Sequence, residues 1–284
     1  MKLCEFLRPA SLPEAYAQLR DLGPRGMILA GGTALHFMQD HTPVTAVDIT
    51  RLGLSGIAPD GDSYAIGAAT PLADIQRYRA PRWAMHEICR RIATHQIRNV
   101  STIGGNIARV FPWADMPVAL LAMDAQMRIY AGPDAPEESP TADEYFAEQP
   151  AKRFLGGKIL TSVRVPALRA HEGYGSVKVV RTAAAFSMVT VAAVLKLDPA
   201  SGAIRSARVA AGSAIPFPCR LPEVEAALLG KEPSEALFLE AASKADAPWR
   251  GKEGMTAEYS KHLAEVSIAD ALAAAARHAL ERAE

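Results

Sequence analysis

Apolar residues between Leu12 and Leu22 recur at helical spacing, with Ala15, Tyr16 and Leu19 on one face. Ser11 and Glu14 form a capping box ahead of that face and Gly23 closes it, so the pattern predicts a helix over 12–22. The period then changes. Met27-Ile28-Leu29-Ala30 is a buried-strand run leading into Gly31-Gly32-Thr33, and Ala34 to Asp40 reads as a restarted helix. Val44, Ala46 and Ile49 mark a further strand and Ser63 to Ala68 another, before a helix start at Thr70-Pro71 with proline in its first turn. A helix is expected from Trp83 to Thr94. The stretch Ile97 to Asn106 (IRNVSTIGGN) is too rich in glycine and polar residues for a helix interior. Helical spacing returns over Met116 to Met123, and Gln126 to Tyr130 reads as a strand.

Gly132 to Pro140 (GPDAPEESP) has the composition of an exposed loop, and Ile159 to Val165 alternates as a strand ended by Pro166. Three more strands are predicted at Gly175–Val180, Val189–Leu197 and Ile204–Ala211, the last two joined by a turn at Asp198 to Gly202. Helical patterns fill most of Glu223 to Glu284. Alternating strands and helices thus give way to a run of strands and then a run of helices, which predicts an α+β protein divided between Pro166 and Glu172. The expected domains are 1–168 and 169–284. A length of 284 residues agrees, at about 150 residues per domain.

Composition narrows the function classes. Lys plus Arg and Asp plus Glu both number 31, which argues against a nucleic-acid binder that relies on phosphate neutralisation. The 49% apolar and 22% charged fractions are those of a globular chain. No apolar run reaches the roughly 18 residues of a membrane span, and the N-terminal stretch has no signal-peptide core. Cys4, Cys89 and Cys219 lie far apart without a C-x-x-C pair, so the chain is expected to build no zinc or iron–sulfur site of its own and to reside in the reducing cytoplasm.

The candidate chemistry sits in the two double glycines, Gly31-Gly32 and Gly104-Gly105. Residues without a side chain take positive φ and bring backbone amides close to a ligand, so each loop is either a phosphate cradle or a tight turn. No G-x-G-x-x-G follows a strand and no glycine loop ends in Gly-Lys-Ser/Thr, which excludes the Rossmann and P-loop sites. With no lysine in either loop, phosphate charge would be met by amides, by the Thr33 and Thr102 hydroxyls and by a helix N-terminus after Gly32.

The strings AGGTALHFM at 30–38 and QIRNVSTIGGNIA at 96–108 resemble the FAD-binding medium subunit of the molybdenum hydroxylase family, the group of xanthine dehydrogenase and aerobic carbon monoxide dehydrogenase. The likeness extends through PWADMP around Asp115, GKILTSVRVP at 157–166, YGSVKVVR at 174–181 and RVAAGSAIPFPCRLPEVEAALLG at 208–230. It implies a two-part FAD-binding domain of the vanillyl-alcohol oxidase and p-cresol methylhydroxylase type, followed by a smaller α+β domain, with the flavin between them. Carried over residue by residue, it implies cofactor contacts from Leu29, Ala30, Gly31, Gly32, Thr33, Ala34 and Leu35, and from Ser101, Thr102, Ile103, Gly104, Gly105 and Asn106. Ile92, Asp115, Leu160 and Lys178 match further positions around the cofactor. The FAD would be non-covalent, and His36 is the one weighed candidate for covalent attachment.

The resemblance further implies an electron-transfer subunit that relays electrons from an iron–sulfur partner through FAD to an acceptor such as NAD or oxygen, with substrate hydroxylation on a separate molybdenum-cofactor subunit. The chain itself offers no catalytic acid–base set and no metal ligands. The alternative is a free-standing flavin oxidase or reductase, and beyond that a non-catalytic nucleotide-binding module. Two departures from the family pattern stand out. Ala185 replaces the acid usual four residues after the arginine matching Arg181, and Phe111 and Trp113 replace small and polar residues. Arg98 is open between a phosphate contact and a structural role, while His86-Glu87 and His171-Glu172 lack the second histidine of H-E-x-x-H and read as surface residues.

Overall fold

The computed structural model describes residues 2–37, 43–154, 156–252 and 254–282. A small parallel sheet opens the chain: β1 (Lys2–Leu7), β2 (Gly26–Leu29) and β3 (Pro43–Asp48) lie in the order β1-β3-β2. The helix α1 (Leu12–Leu22) makes the crossover, with Ala15 and Leu19 buried. Ser11 Oγ caps it by accepting from the Glu14 amide at 3.3 Å, while the Glu14 carboxylate reaches back to the Ala10 amide at 2.7 Å. The helix expected from Ala34 is a 3-10 turn over Leu35–Phe37, and the rest of that expectation, from residue 38, lies outside the described residues.

A second sheet is antiparallel. Its strands β4 (Ile57–Asp60), β5 (Ser63–Gly67), β6 (Gln126–Tyr130) and β7 (Ile159–Pro166) run in the order β4-β5-β7-β6, so the last strand in sequence is central. Five short helices fill the connection from β5 to β6: α2 (Leu72–Arg77), α3 (Met85–Cys89), α4 (His95–Val100), α5 (Ile103–Ile107) and α6 (Met116–Ala122). Two expectations are corrected here. The helix predicted over 83–94 is only α3, because the chain turns at Ala93, whose φ is +47°, and Arg98 holds that turn by donating to the carbonyls of Ile92 and Ala93 at 2.7 and 2.8 Å. The glycine-rich stretch, expected to be non-helical, forms α4 and α5; Thr94 and Thr102 cap them, and fully buried Ile103 and Ile107 anchor one turn around the two glycines. The helix α7 (Ala142–Phe146) falls where apolar spacing assigned nothing, and the Thr141–Glu144 capping box is the signal that marks it.

The third sheet comprises β8 (Glu172–Val179), β9 (Val189–Leu197), β10 (Ile204–Gly212) and β11 (Cys219–Arg220), antiparallel in the order β11-β10-β9-β8. β9 is apolar on both faces because α6 and its core lie on one side and the C-terminal helices on the other. Those helices are α8 (Pro222–Leu228), α9 (Glu235–Ala242) and the 25-residue α10 (Ala257–Glu281). α10 rides on β8 with backbones in contact: a Cβ at Gly175 would fall 2.1 Å from the Ala271 carbonyl oxygen, and one at Gly173 2.0 Å from that of Ala275. Alanines at 271, 275 and 279 keep the facing surface of the helix equally small.

Gly175→Ala is therefore expected to destabilise the protein by about 3 kcal/mol through overpacking, whereas Gly202→Ala, in open space at φ +72°, should cost about 1 kcal/mol of local strain. Thermal or urea unfolding of the two variants checks this, and equal midpoints would show that α10 does not lie on β8 as described.

Candidate functional site

The two double glycines meet, and for different reasons. Gly32 has φ +67°, which turns the chain leaving β2; Gly31 has an ordinary φ but passes so close to the end of α4 that a Cβ would lie 2.0 Å from the Val100 carbonyl oxygen. Thr33 Oγ1 and Ser101 Oγ, 68 positions apart, share a hydrogen bond of 2.7 Å that ties one loop to the other. Gly104 and Gly105 are helical, so the expected positive φ does not apply to them. Gly104 is required for contact, since its Cβ would stand 2.6 Å from the Ala68 carbonyl oxygen, to which its own amide donates at 2.8 Å. Thr102 Oγ1 takes the Gly105 amide at 3.1 Å.

Between the parallel sheet and the antiparallel sheet these loops border a cavity of about 670 Å³. Leu29, Ala30, Gly31, Gly32, Thr33, Ala34, Leu35, Thr102, Gly104, Gly105 and Leu160 all line it. Ser101 stands behind the wall, bonded to Thr33, while Ile103 and Ile92 belong to the buried core beneath. Asn106 also lies off the lining, with a buried Oδ1 that has no partner among the described residues. Two contributors escaped the sequence reading. Gly156 and Gly157, at φ +84° and +90°, form a third double glycine on the cavity wall just ahead of β7, and Arg109 is the only residue with a charged side chain on the lining among the described residues.

Asp115 and Lys178 are brought together, away from the cavity lining. Their side chains are 3% and 5% exposed and pair at 2.7 Å. Asp115 Oδ1 also accepts from Ser187 Oγ and, at 2.5 Å, from Thr190 Oγ1, while the Lys178 ammonium donates to the Arg91 carbonyl at 3.0 Å. The Lys252 ammonium reaches the Ser187 carbonyl at 2.8 Å, and its burial lowers its pKa by penalising the charged form. Nearby, Phe37, Phe111, Trp113 and Phe186 form one aromatic cluster, with Phe111 and Trp113 stacked at 5.2 Å and Trp113 and Phe186 centred 4.6 Å apart.

The remaining candidates resolve as structural. Arg98 is buried, bonded to Gln76 Oε1 at 2.9 Å besides the two carbonyls already named, and is not on the cavity lining. The reading of the two His-Glu pairs as surface residues is corrected: His86 is half-buried against Glu87 at 3.2 Å, with its pKa lowered chiefly by burial, and Glu172 is buried, accepting the Arg169 amide at 2.8 Å. The His36 side chain lies outside those described. Among the described residues no group of three or more His, Cys, Asp or Glu is placed to hold a metal ion, and no helix is long and apolar enough to cross a membrane.

The family model for the FAD binding domain in molybdopterin dehydrogenase matches residues 2–168, and that for the CO dehydrogenase flavoprotein C-terminal domain matches residues 177–275. The glyceraldehyde dehydrogenase medium chain of Sulfolobus acidocaldarius is 32% identical over 250 residues, covering 84% of this chain and 85% of that protein. The carbon monoxide dehydrogenase medium chain of Hydrogenophaga pseudoflava is 30% identical over 236 residues, 80% of each. A solved structure of carbon monoxide dehydrogenase from Hydrogenophaga pseudoflava, in a form lacking the Mo-pyranopterin moiety of its molybdenum cofactor, shares the fold with a TM-score of 0.91 at 29% identity over 98% of both chains. With its three sheets, its glycine-lined cavity and both domain models matched in tandem, this chain belongs to the molybdopterin dehydrogenase FAD-binding family.

Proposed function

We propose that this chain is the FAD-carrying, electron-transferring subunit of a multi-subunit molybdenum hydroxylase, taking electrons from an iron–sulfur subunit and delivering them to a terminal acceptor such as NAD or dioxygen. The observation that carries the reading is the joining of two distant glycine loops, by the Thr33–Ser101 bond and the Gly31–Val100 contact, on the wall of one cavity. The cavity fits such a cofactor in kind: its volume lies within the range of about 300–1,000 Å³ usual for small-molecule sites, and its walls are apolar apart from loop backbone, the Thr33 and Thr102 hydroxyls and Arg109. Bound FAD supplies electron transfer singly or in pairs, which suits a relay between one-electron centres and a two-electron acceptor.

The chain's own residues position and shield. Leu29, Ala30, Gly31, Gly32, Thr33, Ala34 and Leu35 with Thr102, Gly104 and Gly105 would hold the diphosphate part and Leu160 would give apolar surface to the ring, while Ser101, Ile103, Asn106 and Ile92, off the lining, would support those loops from behind. Asp115 and Lys178 neutralise each other, so in this reading they tie the two halves of the chain together and would bring no net charge to a bound flavin. The division at 168/169 is part of the proposal, supported by the end of the first family match at 168 and the start of the third sheet at Glu172. So is a cytoplasmic location, with an iron–sulfur subunit and a molybdenum-cofactor subunit as partners; the named relatives are themselves medium chains, and the three cysteines here are free thiols.

Purified chain is expected to be yellow and to release intact FAD on acid treatment, and the native preparation to carry molybdenum and iron besides. A metal-free homo-oligomer that turns over a substrate unaided would replace this reading with a stand-alone flavin oxidase.

Gly32→Val is expected to lose most bound FAD while keeping the far-ultraviolet circular dichroism, because a β-branched side chain resists φ +67° in a place where no atom comes nearer than 3.5 Å. Flavin content per folded chain is the measurement.

Asp115→Asn strands the buried Lys178 ammonium and should cost about 3–5 kcal/mol even in chain stripped of flavin. Denaturant unfolding of the flavin-free variant tests this, and an unchanged midpoint would mean that the pair is not a structural tie.

A further inference from the structure

The glycine loops present amides and hydroxyls, all neutral groups, whereas the diphosphate of a dinucleotide carries two negative charges. Among the described residues Arg109 is the only one on the cavity lining with a charged side chain. It follows the last residue of α5, Ile107, by two positions and so stands beside the second glycine loop. Its guanidinium lies over the Phe111 ring at 5.7 Å from the centroid, and no carboxylate of the described residues pairs with it.

That environment is informative. A carboxylate partner would hold the arginine in place and cancel its charge, whereas an aromatic face holds it weakly and leaves the charge and the guanidinium N–H groups available. The platform is itself fixed: Phe111 stacks on Trp113 with 14° between planes, Phe37 contacts both at 5.8 and 5.4 Å, and Phe186 packs on Trp113 from the other half of the chain. We propose that Arg109, presented by Phe111, is the counter-charge to the diphosphate of the bound dinucleotide. The proposal rests on the FAD reading for the ligand's identity, though the contact itself is with the diphosphate. It gives the aromatic substitutions at 111 and 113 a purpose in cofactor binding.

The test titrates the flavin-free full chain with FAD, ADP and riboflavin at low and high ionic strength, as wild type, Arg109→Gln, Arg109→Lys and Phe111→Leu. Arg109→Gln should weaken FAD and ADP about 10- to 100-fold, flatten the salt dependence of their binding and leave riboflavin unaffected. Arg109→Lys should recover part of the loss, and Phe111→Leu, which keeps the charge but removes its platform, should lose less than Arg109→Gln. Equal FAD affinity and salt dependence in wild type and Arg109→Gln would overturn the proposal, as would an equal loss for riboflavin, which would make Arg109 a shaping residue. Wild type that binds ADP but not FAD would sink the flavin reading and leave the diphosphate contact standing.

Discussion

One buried carboxylate holds the two halves of this protein in register. Asp115 stands at the start of α6, in the first half of the chain, and among the described residues the side-chain partners of its carboxylate come from the third sheet and its connection: Lys178 on β8, Thr190 on β9 and Ser187 between them. A charge that deep survives only with near-complete satisfaction of its lone pairs. The arrangement therefore specifies position more than it adds stability, because any shift of the third sheet against α6 would leave an unpaired ion. Arg91 donating to the Ser176 carbonyl and Arg208 donating to the Ala122 carbonyl, both at 2.8 Å, repeat the same cross-chain logic at lower stakes.

With that joint fixed, the cavity becomes a matter of how closely backbones can approach. Gly31 against Val100 and Gly104 against Ala68 are places where the absence of a side chain lets two segments touch, and the Thr33–Ser101 hydroxyl pair sets their registration. The aromatic cluster completes the frame by linking Phe37 and Phe111 to Phe186, so the loop after β2, the segment after α5 and the connection from β8 to β9 are packed on one another. Rigid scaffolding under short loops is what a site needs if it is to hold a long, flexible ligand in one pose.

Elements whose signals are local were legible in the sequence. α1 with its Ser11 cap, β6, β9 and the Asp198–Gly202 turn all fall where spacing and turn residues put them. The stretch 83–107 was not, because side-chain caps and burial rather than spacing decide it: Arg98 holds the turn that follows α3 by donating to the carbonyls of Ile92 and Ala93, and α5 forms around two glycines because Ile103 and Ile107 are buried. At the site the same divide holds. The glycine loops announced themselves by composition, whereas the mutual neutralisation of Asp115 and Lys178, 63 positions apart, and the place of Arg109 as the one charged side chain on the cavity lining among the described residues are facts of tertiary placement that no spacing encodes.

The order of strands in the second sheet bears on when this site can exist during synthesis. β7 is the last of its four strands to be made, yet it lies between β5 and β6 and hydrogen-bonds to both. Until it inserts, β5 and β6 have no common partner, and the five helices between them, including the one that carries the second glycine pair, hang from an open sheet. Long-range pairing of this kind is slow and leaves strand edges exposed. The wall opposite the first glycine loop includes Ile159 and Leu160 of β7, so the cavity is complete only once that strand has been made and has inserted between β5 and β6.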